Sequence, residues 1–389
     1  MEFNLPSDRK GTPFLLNHVI AFLLYLGSAG IGLEMALWQQ FAPLIWPPAG
    51  LGLALLLLGG PSHVPVIFLG ALTVRLFEGG GFAGAVVFGS AYAVAAYLAY
   101  RLLHRFFNFR NSLERLIDVS GFLLVGVLLV PVLSALATTT AICQFTPEFC
   151  PDFTALLSVR WLSDALGVLV LAPFLLVWYS RTRITWRNEQ TVEVLVWLAV
   201  LIFLGALVFR NWAPTDTLRY PMELAMFPIM AWAAMRFGQR GVTVGILIAS
   251  MMAVWELRDV IGPEATRTIS QPPGYLWVFV GVLSTTALYL AATWTEHRVR
   301  EDEFRTNEER LRAVVHALPD LALVFNQQGV CSEIFAPLNS QFRNRMSLFK
   351  GKSVDDIYPA DLARKFRETI ESVIRERNLE VVRYAISID

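Results

Sequence analysis

Ten apolar runs follow one another between Phe14 and Trp294, and they leave this chain few ways to fold. They are Phe14–Leu37, Leu44–Gly59, Val64–Leu76, Ala83–Leu103, Gly121–Ile142, Ala155–Tyr179, Val192–Val208, Met222–Met235, Val242–Trp255 and Tyr275–Trp294. A helix crosses a lipid bilayer with about 20 apolar residues, and shorter ones serve where neighbours bury them. The hydrocarbon also demands that every backbone polar group be paired within the protein, which helices of this length achieve. The expectation is an α-helical polytopic membrane domain of eight to ten transmembrane helices, with the lipid bilayer as its solvent. The second and third runs are short and rich in Gly and Pro, so they form either two spans or one re-entrant hairpin. Either count is even, and both ends of the domain then lie on one side.

The composition agrees with this division. The chain is 55% hydrophobic and 16% charged, where a soluble domain carries about a quarter charged residues. The apolar excess stops near Trp294, and the residues beyond it read as an ordinary soluble segment. The formal net charge is zero and no basic patch stands out, so no nucleic-acid partner is expected.

Basic residues set the expected orientation. Arg9 and Lys10 precede the first run. Arg101, Arg105, Arg110 and Arg115 follow the fourth, Arg181, Arg183 and Arg187 the sixth, Arg236 and Arg240 the eighth, and Arg298 and Arg300 the tenth. All fall on one side, which makes both termini cytoplasmic. Arg210, Arg219, Arg258 and Arg267 are exceptions on the other side.

Inside the sixth run stand Arg160 and Asp164. Each costs a few kcal/mol at that depth, roughly 3 on insertion scales. Their i, i+4 spacing lets them pair on one helix face. Counting along the runs puts Asp164 near the midplane, and Arg160, Glu34, Arg75 and Glu223 toward the outer side. Two readings stand. One is a polar cavity open to the outside, receiving an unknown small-molecule or protein signal. The other is a set of structural pairs, Arg160 with Asp164 and Arg75 with Glu34, with Glu223 reaching to the interface. Trp46-Pro47-Pro48-Ala49-Gly50 opens the second run. Two prolines there mean a plain helix start with an interfacial Trp, or a broken helix at a binding site. Cys143 and Cys150 flank a short outer loop and form either a disulfide or two free thiols.

Ile45-Trp46-Pro47-Pro48-Ala49-Gly50-Leu51-Gly52-Leu53-Ala54 resembles the signature of MASE1, a bacterial integral-membrane sensory domain. Phe68-Leu69-Gly70-Ala71, then Arg160-Trp161-Leu162-Ser163-Asp164-Ala165-Leu166-Gly167 with Ala172-Pro173, are similar to its next motifs. Met226-Phe227-Pro228, Trp232-Ala233-Ala234 and Arg236-Phe237-Gly238-Gln239-Arg240-Gly241 resemble its late motif. The resemblance implies eight spans and an input module of histidine kinases, diguanylate cyclases or cyclic-di-GMP phosphodiesterases.

Beyond Trp294 a helical stretch carries Phe304, Leu311 and Leu318 at seven-residue spacing, barely two heptads. Leu321–Asn326 and Val330–Phe335 read as strands joined by Gln327-Gln328-Gly329, Ala360–Arg377 as an amphipathic helix, and Leu379–Ile388 as a third strand. Glu308-Glu309-Arg310-Leu311-Arg312-Ala313-Val314-Val315-His316-Ala317-Leu318-Pro319-Asp320 resembles the entry to a PAS domain. That resemblance implies an α+β fold with a pocket behind Phe325, Phe335 and Phe366, left incomplete because two further strands would follow Asp389. The expected order is a tail at 1–13, the sensory domain at 14–296, a helical linker at 297–312 and a partial PAS domain at 313–389. A homodimer through linker and PAS is expected, and a longer parent chain with an output domain.

No phosphate loop, zincin motif or dinucleotide fingerprint occurs, so no catalytic residue is assigned. His316 and Cys331 are the soluble residues that tempt as ligands, yet neither position suits one, and no cofactor or metal is expected. The leading function is a sensory input module feeding cyclic-di-GMP turnover. The alternatives are a histidine-kinase input module and a membrane transporter, for which midplane charges and broken helices also serve.

Overall fold

The computed structural model describes residues 14–34, 36–38, 42–150, 152–180, 188–209, 223–261, 274–317, 322–335, 349–376 and 381. The chain divides into two units, Met1–Arg298 and Val299–Asp389.

The first unit is a helix bundle. Its elements are α1 (Phe14–Glu34), a short hairpin of β1 (Ala36–Trp38) and β2 (Ala42–Pro43), α2 (Pro47–Gly59), α3 (Val64–Phe77) and α4 (Phe82–Phe107). Then come α5 (Leu116–Gly121), a π-helical turn at Phe122–Leu129, α6 (Val130–Phe145), α7 (Phe153–Tyr179), α8 (Asn188–Phe209), α9 (Met226–Ile261) and α10 (Gly274–Ala317), of which the part up to Arg298 belongs to this unit. Among the described residues seven helices are long and apolar enough to cross a membrane, and two more, α2 and α3, are shorter. The chain is therefore a multi-pass membrane protein. Leu15, Val19 and Leu23 of α1 stand exposed, as suits a helix solvated by lipid. Between helices the contacts fall on small residues: Ala85, Ala99, Ala172, Ala233 and Ala291 are fully buried. Small side chains let helix backbones approach where the hydrophobic effect gives no help. The π turn precedes Pro131, whose missing N–H and ring disrupt the ordinary ladder there.

One of the seven long helices is not straight. Gly238 has φ 61° and ψ −150°, outside the helical region. The Met230 sulfur lies 2.7 Å from where a Cβ on Gly245 would stand, whereas a straight helix would separate those residues by about 22 Å. So α9 folds back at Gly238, and its two arms match the separate eighth and ninth runs of the sequence. Trp197 of α8 wedges beside both arms. Its Nε1 donates to the Ile229 carbonyl at 3.1 Å, and its ring meets Phe237 edge-on at 5.6 Å.

Hydrogen bonds collect the loops into two faces. On the first face, His18 lies 3.1 Å from the Ser62 carbonyl and Asn111 donates to Leu57 at 3.0 Å. Gln239 donates to Leu113 at 2.6 Å, and Leu116 N–H to the Glu296 carboxylate at 3.3 Å. This brings together the start of α1, the α2–α3 turn, the α4–α5 loop, the α9 fold-back and the lower part of α10. On the second face, Arg75 donates to Thr146 at 3.3 Å, so the α3–α4 and α6–α7 turns adjoin. The α1 start and the first-face part of α10 share one face, as an even number of passages requires.

The second unit contains β3 (Ala322–Phe325) and β4 (Cys331–Phe335), antiparallel with a bulge at Phe325. Asn326 shapes their turn: its side-chain oxygen takes the N–H groups of Gln328 and Val330, and Gly329 supplies φ 74°, which a residue with a Cβ rarely adopts. Ser353 and Asp356 cap the short α11 (Val354–Ile357) reciprocally. α12 (Ala360–Glu376) follows. Among the described residues this unit holds a two-stranded sheet. Of the third strand expected at Leu379–Ile388 only the exposed Val381 is described, and the side chains of Phe335 and His316 lie outside the described residues. Phe325 is half-buried, Phe366 packs on Tyr358 at 4.8 Å, and Cys331 is buried.

Candidate functional site

The site grows from one face of α7. Asp152 caps that helix, accepting from Thr154 N–H at 2.9 Å and Ala155 N–H at 3.2 Å. The Thr154 hydroxyl, bonded at 2.7 Å, and those two N–H groups hold the Asp152 carboxyl below its usual range. Helical spacing then lines up Arg160, Ser163, Asp164 and Gly167.

Ser163 and Gly167 hold the segment that leads into α2. Ser163 Oγ donates to the Pro43 carbonyl, and the Ser163 carbonyl accepts Trp46 N–H at 3.0 Å. Trp277 of α10 donates to the Leu44 carbonyl at 3.1 Å. Irregular backbone survives at membrane depth only when its polar groups are paired. Here side chains and one carbonyl supply the partners, and Pro43, Pro47 and Pro48 reduce the N–H groups that need one. Ser163 lies ten residues into α7, roughly 15 Å along its axis and so near the middle of the hydrocarbon. Trp46-Pro47-Pro48 is thus a helix start, with Pro at the first positions, but one set at mid-depth rather than at the interface. Gly50 and Gly167 let the two backbones touch: a Cβ on either would overlap the other helix's chain, at the Gly167 and Trp46 carbonyls respectively.

Asp164 is 2% exposed. Tyr92 of α4 donates to it at 3.0 Å and Ser134 of α6 at 2.8 Å. The expected direct pair with Arg160 does not form. Arg160 reaches away, its Nε donating to Thr138 Oγ1 at 3.0 Å and its NH2 to the Tyr92 hydroxyl at 3.4 Å. Helical side chains lean toward the N-terminus, so the long arginine runs toward the second face while the short aspartate stays in the core. The two are linked through Tyr92.

The expected Arg75–Glu34 pair is also absent. Arg75, 3% exposed, meets Glu78 at 3.3 Å and Thr146, and its guanidinium lies 4.9 Å from the Phe88 ring centre. The Arg160 guanidinium lies 5.1 Å from the same ring, so one aromatic face system serves two cations. Glu34 stands exposed at the end of α1. Glu223 is half-buried and lines neither of the cavities at Asp164.

Two small cavities meet at Asp164 and Tyr92. One, of about 20 Å³, is lined by Trp46, Arg75, Phe88, Arg160 and Ser163 as well. The other, of about 30 Å³, adds Tyr25, Ala49 and Ser134. Such volumes admit a water or two and no organic ligand. Larger spaces lie elsewhere: about 360 Å³ beside Trp178, Trp197, Glu193 and Arg236, and an apolar groove of about 430 Å³ between α1, α2, α7 and α9. Tyr92, Ser134, Thr138 and Phe88 went unnoticed in the sequence. The signal for them is polar or aromatic side chains four apart within a span, Phe88 with Tyr92 and Ser134 with Thr138.

On the second face Cys143 and Cys150 form a disulfide, Cα–Cα 5.0 Å. It closes the turn that carries Thr146 and joins α6 to α7, the helices that supply Ser134 and Asp164. Replacing both cysteines by serine, or reducing the bond, is expected to cost about 2–3 kcal/mol. Thermal unfolding of the purified protein with and without a dithiol checks this.

The family model described as MASE1 matches residues 15–298. No curated protein and no solved structure matches the chain.

Proposed function

The chain belongs to the MASE1 family, a membrane sensory domain of signalling proteins, and from that premise we propose that the polar centre around Asp164 is where the signal registers and α10 is its way out. The observation that carries this is the Trp277–Leu44 hydrogen bond. It ties the mid-depth segment held by α7 directly to the helix that continues to Ala317.

The first face, rich in Arg101, Arg105, Arg110, Arg115, Arg236 and Arg240, is the cytoplasmic one on this reading. The disulfide then faces the periplasm, where such bonds persist, and the membrane is the bacterial inner membrane. Residues 297–312 act as the linker and pair in a homodimer, and the hairpin and helices of 313–389 belong to a PAS domain. The output is cyclic-di-GMP turnover, with a histidine kinase as the other output that the resemblance supports.

The test uses the full-length parent in its native membrane. Asp164→Asn and Trp277→Phe are each expected to change cellular cyclic-di-GMP about twofold, a shift worth about 0.4 kcal/mol. The lipid-facing Leu23→Ala leaves it unchanged. If all three variants insert normally and none alters the output, this reading is abandoned.

A further inference from the structure

We propose that Asp164 is a proton-binding site, taking up and releasing a proton through the water-sized cavities on either side of it. This deepens the sensory reading of the same site by naming the signal's chemistry: proton activity on the second face.

Size comes first. The spaces that touch the carboxylate hold about 20 and 30 Å³, enough for a water to deliver a proton. Hydrogen bonding comes second. A carboxylate clamped by an arginine has a partner that can only donate. Asp164 instead meets two hydroxyls, and a hydroxyl both donates and accepts. In the ionised state Tyr92 and Ser134 both donate to it. In the protonated state the Asp164 O–H donates to Ser134 Oγ, and the Ser134 proton needs another acceptor. That acceptor is in place: the Pro131 carbonyl lies 3.0 Å from Ser134 Oγ. That carbonyl sits one turn back on α6, and a carbonyl oxygen has a second lone pair for a hydroxyl beside its helical N–H. No atom beyond a hydroxyl hydrogen has to move, and no donor is left unpaired in either state. The proton comes from a hydronium or a water in the cavity lined by Arg75 and Arg160, and returns there on release.

Among the described residues, the charged and titratable groups lining the cavities at Asp164 come from four elements. α1 gives Tyr25, whose hydroxyl has no hydrogen-bond partner among the described residues. α3 gives Arg75 and Glu78, α4 gives Tyr92, and α7 gives Arg160. From α2 and α6 only uncharged residues line these cavities. Among the described lining residues two cations face two carboxylates, and a proton arriving at Asp164 changes that balance by one charge. Ser163, beside Asp164, holds Pro43 and Trp46, so the change is felt at the segment bonded to α10.

The experiment is infrared titration of the full chain in lipid nanodiscs, reading the carbonyl stretch of protonated carboxylic acid between about pH 4 and pH 9. The expected result is a titrating band that Asp164→Asn removes and Asp164→Glu retains. Ser134→Ala, which deletes the relay hydroxyl, displaces the midpoint by about one pH unit. Should Asp164→Asn fail to fold, Tyr92→Phe replaces it and must move the band. A spectrum with no titrating carboxyl band assignable to Asp164 overturns the proposal, as does a band unmoved by both Ser134→Ala and Tyr92→Phe. The parent's output against external pH separates the two levels. A titrating Asp164 with a flat output leaves the proton site standing and refutes the sensory reading on which it rests.

Discussion

Gly167→Ala leaves little folded protein. The added methyl would occupy the place of the Trp46 carbonyl, and that oxygen belongs to backbone that cannot rotate aside. Overpacking of side chains alone costs about 1–3 kcal/mol, and a clash with backbone exceeds that. To relieve it α2 must withdraw from α7, which breaks the Trp46–Ser163 bond and strands polar backbone at mid-depth. Gly50→Ala fails for the mirror reason, because its methyl would meet the Gly167 carbonyl. Gly27→Ala on α1 is the comparison: nothing lies within 4 Å of its Cβ position, and alanine is the better helix former by about 1 kcal/mol. Thermal stability in detergent should fall sharply for the first two and hold or rise for the third. A Gly167→Ala protein as stable as wild type would mean that α2 and α7 are not in backbone contact.

The second large loss is expected at Asp118→Ala. This carboxylate is fully buried on the first face. It accepts Arg110 N–H at 3.1 Å and Arg115 Nε at 2.7 Å, with a second bond from Arg115 NH2. Arg115 also donates to the Asn108 carbonyl at 2.8 Å. The loop so gathered contains Asn108 at φ 44° and Leu113 at φ 54°. Left-handed backbone at a leucine is uncommon and persists only where surroundings impose it. Removing a buried partner of an ion pair costs about 3–5 kcal/mol. The Arg115 side chain is 30% exposed and can return to water, so about 2–3 kcal/mol remains. The loop also carries Leu116, bonded to Glu296 of α10, and Leu113, bonded to Gln239. Protease susceptibility between Asn108 and Leu116 should rise together with the loss of stability. Unchanged proteolysis alongside unchanged melting would show that Asp118 is dispensable to the loop.

The position of residues along their helices was legible, and their position around the helix axes was not. Counting along apolar runs placed Asp164 at mid-depth, Arg75 and Glu34 at one level, and Arg236 and Arg240 at a turn, because rise per residue is fixed. Pairing Arg75 with Glu34 from that level alone went wrong. The choice of partner depends on which way each helix is turned, and here Tyr25 of α1 meets Gly70 of α3 while Arg75 turns to Thr146. Arg160 and Asp164 share a helix face, yet their unequal lengths send them to different neighbours. Trp46-Pro47-Pro48 announced a helix start. It did not announce the depth, which is set by Ser163 and Trp277, residues far away in the chain. The Cys143–Cys150 spacing left bond and thiols open, and the structure has the bond. A two-stranded hairpin and the helix α12 were legible in the second unit from Asn326–Gly329 and the apolar pattern of α12, while of the residues read as a third strand only Val381 is described.

From Val282 to Arg298, α10 contains neither glycine nor proline. That is a rod of roughly 26 Å with no joint. A joint would absorb a disturbance where it arises. A rod conveys it as twist, tilt or slide, and its information resides in phase rather than in shape. Each residue advances the phase by about 100°, so two extra residues after Val282 would turn the rest of that rod by roughly 200°, while seven would bring it back to within about 20°.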